Sequence, residues 1–274
     1  MMILVRALII LLLAGAIFGG SAYFAYELYW KPQQLDREDK RQQAEAPPPT
    51  PPPDYSIAVF DKTVQSLKTS SPEEGRKALA DFIAQNPASP KVGDAKRLLG
   101  NMNVTDLFSP STAGGKVPYT VGRGDALAKV ASKMKTNADL IYRVNNLETI
   151  NLSIGQQLFI PQLVTSITID RKAKTLMVLN NGVFFKEYPI FSAKGTTVGN
   201  NKVADKIALN GTTRVAFGDK NYAGADRWLM LGGGVAIRSG DPAAENHPVG
   251  FIVSTDDMEE IFLLVSRGTP VTIQ

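Results

Sequence analysis

The chain has 274 residues, no cysteine and one histidine. Without cysteine there is no disulfide, no thiolate zinc site, no iron–sulfur cluster, no lipid-modified cysteine anchor and no cysteine nucleophile. One imidazole excludes a His-rich metal site and leaves a single histidine for acid–base work. The composition therefore calls for no metal and no cofactor. An excess of one charge is missing too: 30 Lys+Arg stand against 26 Asp+Glu, a net charge of +4, which is too small to argue for a nucleic-acid partner. The hydrophobic fraction of 44% is ordinary for a globular chain and excludes disorder throughout. The length suggests about two domains.

Long apolar runs are scarce, and the exception lies at the N-terminus. Residues 7–26 carry no charge and are dominated by Leu, Ile, Ala and Gly. As a helix they would be about 30 Å long, the thickness of a bilayer's hydrocarbon core. Tyr23, Phe24, Tyr26, Tyr29 and Trp30 follow, as aromatic residues do at a membrane interface. The expectation is a retained membrane helix within residues 1–30. A cleaved signal peptide with its small-residue site at Ala14-Gly15-Ala16 is the competing reading, but its apolar core would be short. The positive-inside rule sets Arg6 against Lys31, Arg37, Lys40 and Arg41 and would leave the bulk of the chain in the cytoplasm.

Residues 31–55 are expected to form a linker. Its first part is charged without an apolar face, and APPPTPPPD follows, whose prolines favour a semi-rigid polyproline II spacer. Residues 56–110 form a small helical unit. Ile57, Val59, Phe60, Val64 and Leu67 recur at roughly helical spacing, and Ser71-Pro72-Glu73-Glu74 is a capping box. Asn86-Pro87 breaks that helix, and a further one runs from Ser89-Pro90 to Gly100. The pair of helices resembles a single tetratricopeptide-type hairpin, too little for a peptide-binding solenoid.

From Val117 to Gln162 the pattern is strand, Gly-Asp turn, two helices, Gly155 turn and strand. The YTV at 119–121, the GD-L at 124–127, the NADL at 137–140, the N-L at 145–147 and the G-Q-L-IP at 155–161 fall together at the spacing of one family. Residues 117–162 resemble a LysM domain. The resemblance implies a βααβ fold and binding of N-acetylglucosamine-containing glycans such as peptidoglycan. It places the groove between residues 122–127 and 150–155, so Gly124, Asp125, Ala126, Leu127, Asn151, Leu152 and Ile154 are the glycan-binding candidates. Read singly, Gly124 and Gly155 are turn residues and Asp125 is a helix N-cap. Ala126 stands where the family often has Thr, which removes a hydroxyl from the groove.

Residues 164–274 open with a hairpin: Ile167, Ile169, Leu176 and Val178, the turn Asn180-Asn181-Gly182, then Val183 and Phe185. They close with a helix capped by Ser254 or Thr255, carrying Met258, Ile261, Phe262 and Val265, that ends at Gly268 before a last strand. The hairpin, the YPI with Ser-Ala-Lys-Gly, the Arg-Trp at 227–228 and the helix–GTPV ending resemble an L,D-transpeptidase catalytic domain. That family cross-links peptidoglycan stem peptides through a cysteine thiolate, and a LysM domain ahead of it is a usual arrangement. Its motifs are degenerate here. Arg238 stands at the upstream His, Phe251 at the Cys and Val253 at the Arg, while aligning His247 on the family His puts Val249 at the Cys. A substitute Ser254–His247 pair oriented by Asp241 or Glu245 lacks the pattern of a nucleophile elbow.

The expected architecture is thus α+β and multidomain: N-terminal membrane helix, helical hairpin, βααβ LysM domain and mainly-β L,D-transpeptidase-like domain. The expected function is peptidoglycan binding by an inner-membrane, single-pass protein whose bulk lies in the periplasm, because a glycan site has its ligand there. Its partners would be glycan strands and, through residues 7–26, the membrane, with no nucleic acid. The alternative is an L,D-transpeptidase with a non-Cys nucleophile.

Overall fold

A computed structural model describes residues 19–21, 23–45 and 54–274. Residues 7–18 of the apolar run, with Ala22, and the prolines at 47–53 lie outside the described residues. Among the described residues no helix is long and apolar enough to cross a membrane. The chain divides at Asp54/Tyr55 into two units. In the first, a π-helical turn at Tyr26–Trp30 runs into α1 (Lys31–Glu45), so the charged half of the linker segment is helical. Glu27–Lys31 and Asp36–Lys40 are ion pairs one turn apart, at 2.7 and 3.0 Å, the spacing that supports an exposed helix. Tyr23, Phe24, Tyr29 and Trp30 are exposed.

The second unit begins with three helices, α2 (Ser56–Ser66), α3 (Pro72–Gln85) and α4 (Val92–Phe108). The helical spacing from Ile57 to Leu67 is realised as α2, which packs with the α3–α4 pair through Phe60, Phe82 and Leu99. The capping box forms: Ser71 Oγ accepts from the Glu74 amide and Glu74 Oε2 accepts from the Ser71 amide. Gly100 does not end its helix. It sits inside α4 where the chain at Lys186 crosses, and a Cβ there would lie 2.9 Å from Lys186 Cγ. The glycine therefore marks a close approach between segments. Lys116 Nζ, from the strand that follows, donates to the carbonyls of Asp106 and Leu107 in the last turn of α4, where carbonyls lack the usual partner four residues on.

Next come β1 (Lys116–Thr120), α5 (Leu127–Lys133), α6 (Ala138–Val144) and β2 (Gln157–Pro161). β1 and β2 pair antiparallel, Tyr119 opposite Leu158. The two helices cover them through Leu127, Val130, Ala131 and Ile141. This is the expected βααβ arrangement.

The remaining strands are β3 (Thr165–Asp170), β4 (Thr175–Asn180), β5 (Val183–Pro189), β6 (Ser192–Lys194), β7 (Gly199–Asn210), β8 (Thr213–Val215), β9 (Asp226–Leu231), β10 (Ala236–Ser239), β11 (Gly250–Val253) and β12 (Pro270–Ile273), with α7 (Thr255–Leu264) before the last. They form one sheet in the order β5-β4-β3-β12-β7-β9-β10-β11-β6, with β8 beside β7. Asn181 and Gly182, at φ 51° and 76°, make the two-residue turn of the β4–β5 hairpin. α7 lies on one face, its Met258, Ile261 and Phe262 meeting Leu229, Ile237 and Phe251. It ends at Leu264, earlier than expected; Gly268, at φ 89°, belongs to the turn that follows. Leu107 of α4 and Leu140 and Val144 of α6 join the same core, so the helical and βααβ segments are packed into the β-domain rather than strung beside it.

Candidate functional site

Two places carry the residues singled out by the sequence: the paired loops of the βααβ segment and the β10–β11 strands. The loops are joined edge to edge. The Gly155 amide donates to the Val121 carbonyl at 2.8 Å, and the Val121 amide to Gln156 O at 2.9 Å. Gly124 and Gly155 both sit at φ 84° with open space where a side chain would be, a left-handed conformation that favours glycine. Asp125 is not the helix cap; the residue before α5 is Ala126, which makes no side-chain cap bond. The Asp125 carboxylate instead accepts from the Gly122 amide at 2.8 Å and the Tyr119 hydroxyl at 2.7 Å. These bonds, the backbone one first, hold the carboxyl below its usual range, with Lys133 and Lys129 adding to the effect.

Of the seven glycan candidates, Gly124, Ala126, Asn151 and Ile154 are exposed, and Asp125 is half-buried. Ile154 is 73% exposed, an apolar side chain at the rim. Leu127 is 3% exposed and Leu152 packs against the same small core. Leu127 supports its loop from inside, which corrects its place as a ligand-facing group, whereas Leu152 is half-buried. The arrangement offers loop amides, carbonyls and the exposed side chains of Ile150 and Ile154 at an open surface, chemistry suited to acetamido groups and sugar faces.

Residues 119–161 match the family model of the LysM domain. This segment is a LysM domain. No curated protein matches the chain. Solved structures similar to it include an L,D-transpeptidase from Mycobacterium smegmatis at 15% identity, covering 44% of this chain and 64% of that one with a TM-score of 0.32. L,D-transpeptidase 1 from Mycobacterium tuberculosis matches at 15% identity over 43% of this chain and 66% of that one, TM-score 0.32. The catalytic domain of the E. faecium L,D-transpeptidase matches at 22% identity over 41% of this chain and 98% of that domain, TM-score 0.30. The chain thus spans a little under two thirds of the mycobacterial structures.

The β10–β11 strands do not assemble a reactive centre from the residues expected there. They run parallel, Ile237 opposite Phe251 and Arg238 opposite Ile252, so Arg238 and Phe251 face opposite sides of the sheet. Phe251 and Val253 are fully buried in the core under α7. Arg238 lies on the other face, its guanidinium 4.6 Å from the Trp228 ring centroid, and donates to Val249 O at 3.3 Å. Val249, the alternative position, is exposed, and its side chain lies beside Gly195. Gly250 and Ile252, which flank Phe251, are fixed by packing. A Cβ on Gly250, at φ 123°, would lie 2.4 Å from Ala236 O, and Ile252 fills the space against Gly240.

The substitute nucleophile is committed elsewhere. Ser254 Oγ accepts from the Asp257 amide at 3.1 Å and donates to Asp257 Oδ2 at 2.6 Å, so it caps α7. Among the described residues His247 makes no hydrogen bond, and Asp241 turns its carboxylate to the Ala243 amide at 2.9 Å.

Sequence reasoning missed a third cluster, where the LysM domain meets the β-domain. Asp139 of α6, 9% exposed, accepts from the Tyr222 hydroxyl at 3.0 Å and lies 3.9 Å from Lys206 Nζ. Lys206 also donates to Val265 O at 2.9 Å and sits 4.3 Å from the Phe262 ring centroid. Burial pulls the Lys206 ammonium down to about 8, against the pull of Asp139. Arg227, 4% exposed, donates to Ala225 O and Tyr222 O and pairs with Glu259 at 3.3 Å. Burial raises the Tyr222 hydroxyl and the Glu259 carboxyl. Cavities of about 520 and 530 Å3 flank this cluster. Its signals in the sequence are an acid on the apolar side of a short helix and a lysine in a central strand.

Proposed function

We propose that this chain is a bacterial envelope protein that holds peptidoglycan glycan strands through its LysM loops. The observation that carries the reading is the LysM domain itself, with its two glycine turns bonded edge to edge and Ala126, Asn151 and Ile154 exposed along them. The β-domain is read as a transpeptidase-like scaffold that does not transfer acyl groups: the chain has no cysteine, and Phe251 and Val253 at the motif positions are core side chains. Residues 7–26 would hold the protein in the inner membrane with the bulk of the chain in the periplasm, where the glycan is. The uncharged run and the exposed aromatic side chains from Tyr23 to Trp30 support that placement.

Retention on purified sacculi tests the glycan reading. Ala126 is exposed and extended, at φ −132° and ψ 152°, so Ala126→Trp adds bulk to the loop without backbone strain. Gly124→Trp is the poorer variant, because it forces a side chain onto a left-handed residue. We expect Ala126→Trp to weaken retention about tenfold at unchanged melting temperature. Full retention of the folded variant would remove the site from these loops.

A further inference from the structure

We propose that the glycan surface is composite, with residues 216–222, the β8–β9 loop of the β-domain, forming a second subsite for sugars that run beyond the LysM loops. This rests on the glycan reading above. Ile150 opens the second LysM loop, and a Cβ built on Gly218 would lie 3.1 Å from its Cδ1, so the β-domain loop abuts that side of the groove. Phe217 is seated on the LysM core, edge-on to Tyr142 at 5.5 Å between ring centroids and to Tyr222 at 5.4 Å.

The loop is shaped before any ligand arrives. Asp219 N donates to Ala216 O, Tyr222 N to Asp219 O and Asn221 N to Asp219 Oδ1, at 2.8–3.0 Å. The Tyr222 hydroxyl ties its end to Asp139 of the LysM domain. Such a wall holds a fixed place beside the groove and loses little freedom on binding.

Its outward groups suit an N-acetylated glycan. Gly218, Asp219, Lys220 and Asn221 are exposed. Among the described residues, the Lys220 amide, the Lys220 ammonium and the Asn221 carboxamide have no protein partner. An amide N–H and a carboxamide match an acetamido carbonyl and ring hydroxyls, and the ammonium donates to either. A short oligosaccharide fits the LysM loops alone, whereas a longer one leaving past Ile150 meets this wall.

The test is the affinity of the full chain for N-acetylglucosamine trimer and hexamer, comparing wild type, the exposed double variant Lys220→Ala/Asn221→Ala, and Ala126→Trp. The double variant should keep trimer affinity and lose about threefold to tenfold on the hexamer, the scale of one or two hydrogen bonds. Ala126→Trp should lose both. Equal hexamer affinity in the double variant and wild type overturns the composite surface while Ala126→Trp still upholds the LysM site. Equal losses on trimer and hexamer also overturn it, since the loop would then act on the first subsite. Wild-type binding by Ala126→Trp discards the underlying glycan reading instead.

Discussion

The LysM loops and the β10–β11 strands each turn on a glycine followed by a residue expected to be functional, and the two pairs end up in opposite surroundings. At Gly124-Asp125 the glycine stands in open space and the acid is spent on holding the loop's shape, leaving neighbouring backbone and Ala126 to solvent. At Gly250-Phe251 the glycine is pressed on the Ala236 carbonyl and the next side chain is fully buried under α7. A loop that is to meet a ligand needs its exterior, whereas a strand that carries a phenylalanine at this position gives its interior to packing. The same kind of sequence fragment is thus spent on a surface in one region and on a core in the other.

The largest effect expected from this contrast is at Phe251. Phe251→Ala should destabilise the chain by about 3–5 kcal/mol, measured by urea unfolding, while retention on sacculi by the folded fraction stays as in wild type. This is the inverse of Ala126→Trp, and a variant that moved both properties together would break the contrast. Phe251→Cys should likewise give no cross-linking and no mass adduct with a carbapenem. The new thiol would be buried on the face opposite Arg238, with no base beside it, and losing a nucleophile and its base costs on the order of a million-fold in rate. An acyl adduct mapped to residues 236–256 of wild type would instead favour the enzyme.

The next effect is at the junction between the two regions. The folded state holds the Lys206 ammonium at about 8, below the ordinary lysine value of about 10.4. Between these values the unfolded chain binds more protons, so this lysine's contribution to stability rises with pH from about 8 to about 10.4 and is least favourable below 8. The stability of wild type relative to Lys206→Met should therefore increase over that window by up to about 3 kcal/mol. A difference that stays flat with pH would show that Lys206 does not titrate there.

The smallest effect is at Asp125. Its lowered carboxyl contributes only when ionised, so the loop lock is present above about pH 4 and is lost as pH falls below it. Asp125→Asn should lower the protection of the Gly122 amide against hydrogen exchange at neutral pH, as acid should in wild type once the intrinsic slowing of exchange at low pH is divided out, with little change in global unfolding. Unchanged exchange would mean that the Tyr119 and Gly122 bonds do not hold the loop.

What was legible in the sequence was local. The LysM turns, the capping box and the Asn181-Gly182 hairpin each depend on a few neighbouring residues whose backbone preferences agree. The glycines were legible as glycines but not as to purpose: Gly100 read as a helix end because the chain at Lys186, which makes it a crossing, lies far along the sequence. For the same reason Leu127 could be placed in a groove when its side chain supports the loop from beneath. Asp139, Lys206, Tyr222 and Arg227 were invisible as a cluster, since only the register of β7 on β9 and the seating of α6 against them bring these residues together.

The position of β12 bears on how the chain is made. It lies between β3 and β7 in the middle of the sheet, Val271 opposite both Ile167 and Asn201, yet it is synthesised about a hundred residues after β3. Until then β3 and β7 each present an unpaired edge, a template for contact with other chains. The sheet closes only on a long-range contact, which is slow to form. The interval before residues 270–273 emerge is therefore the one in which these two edges of a nascent chain are open to contact with other chains.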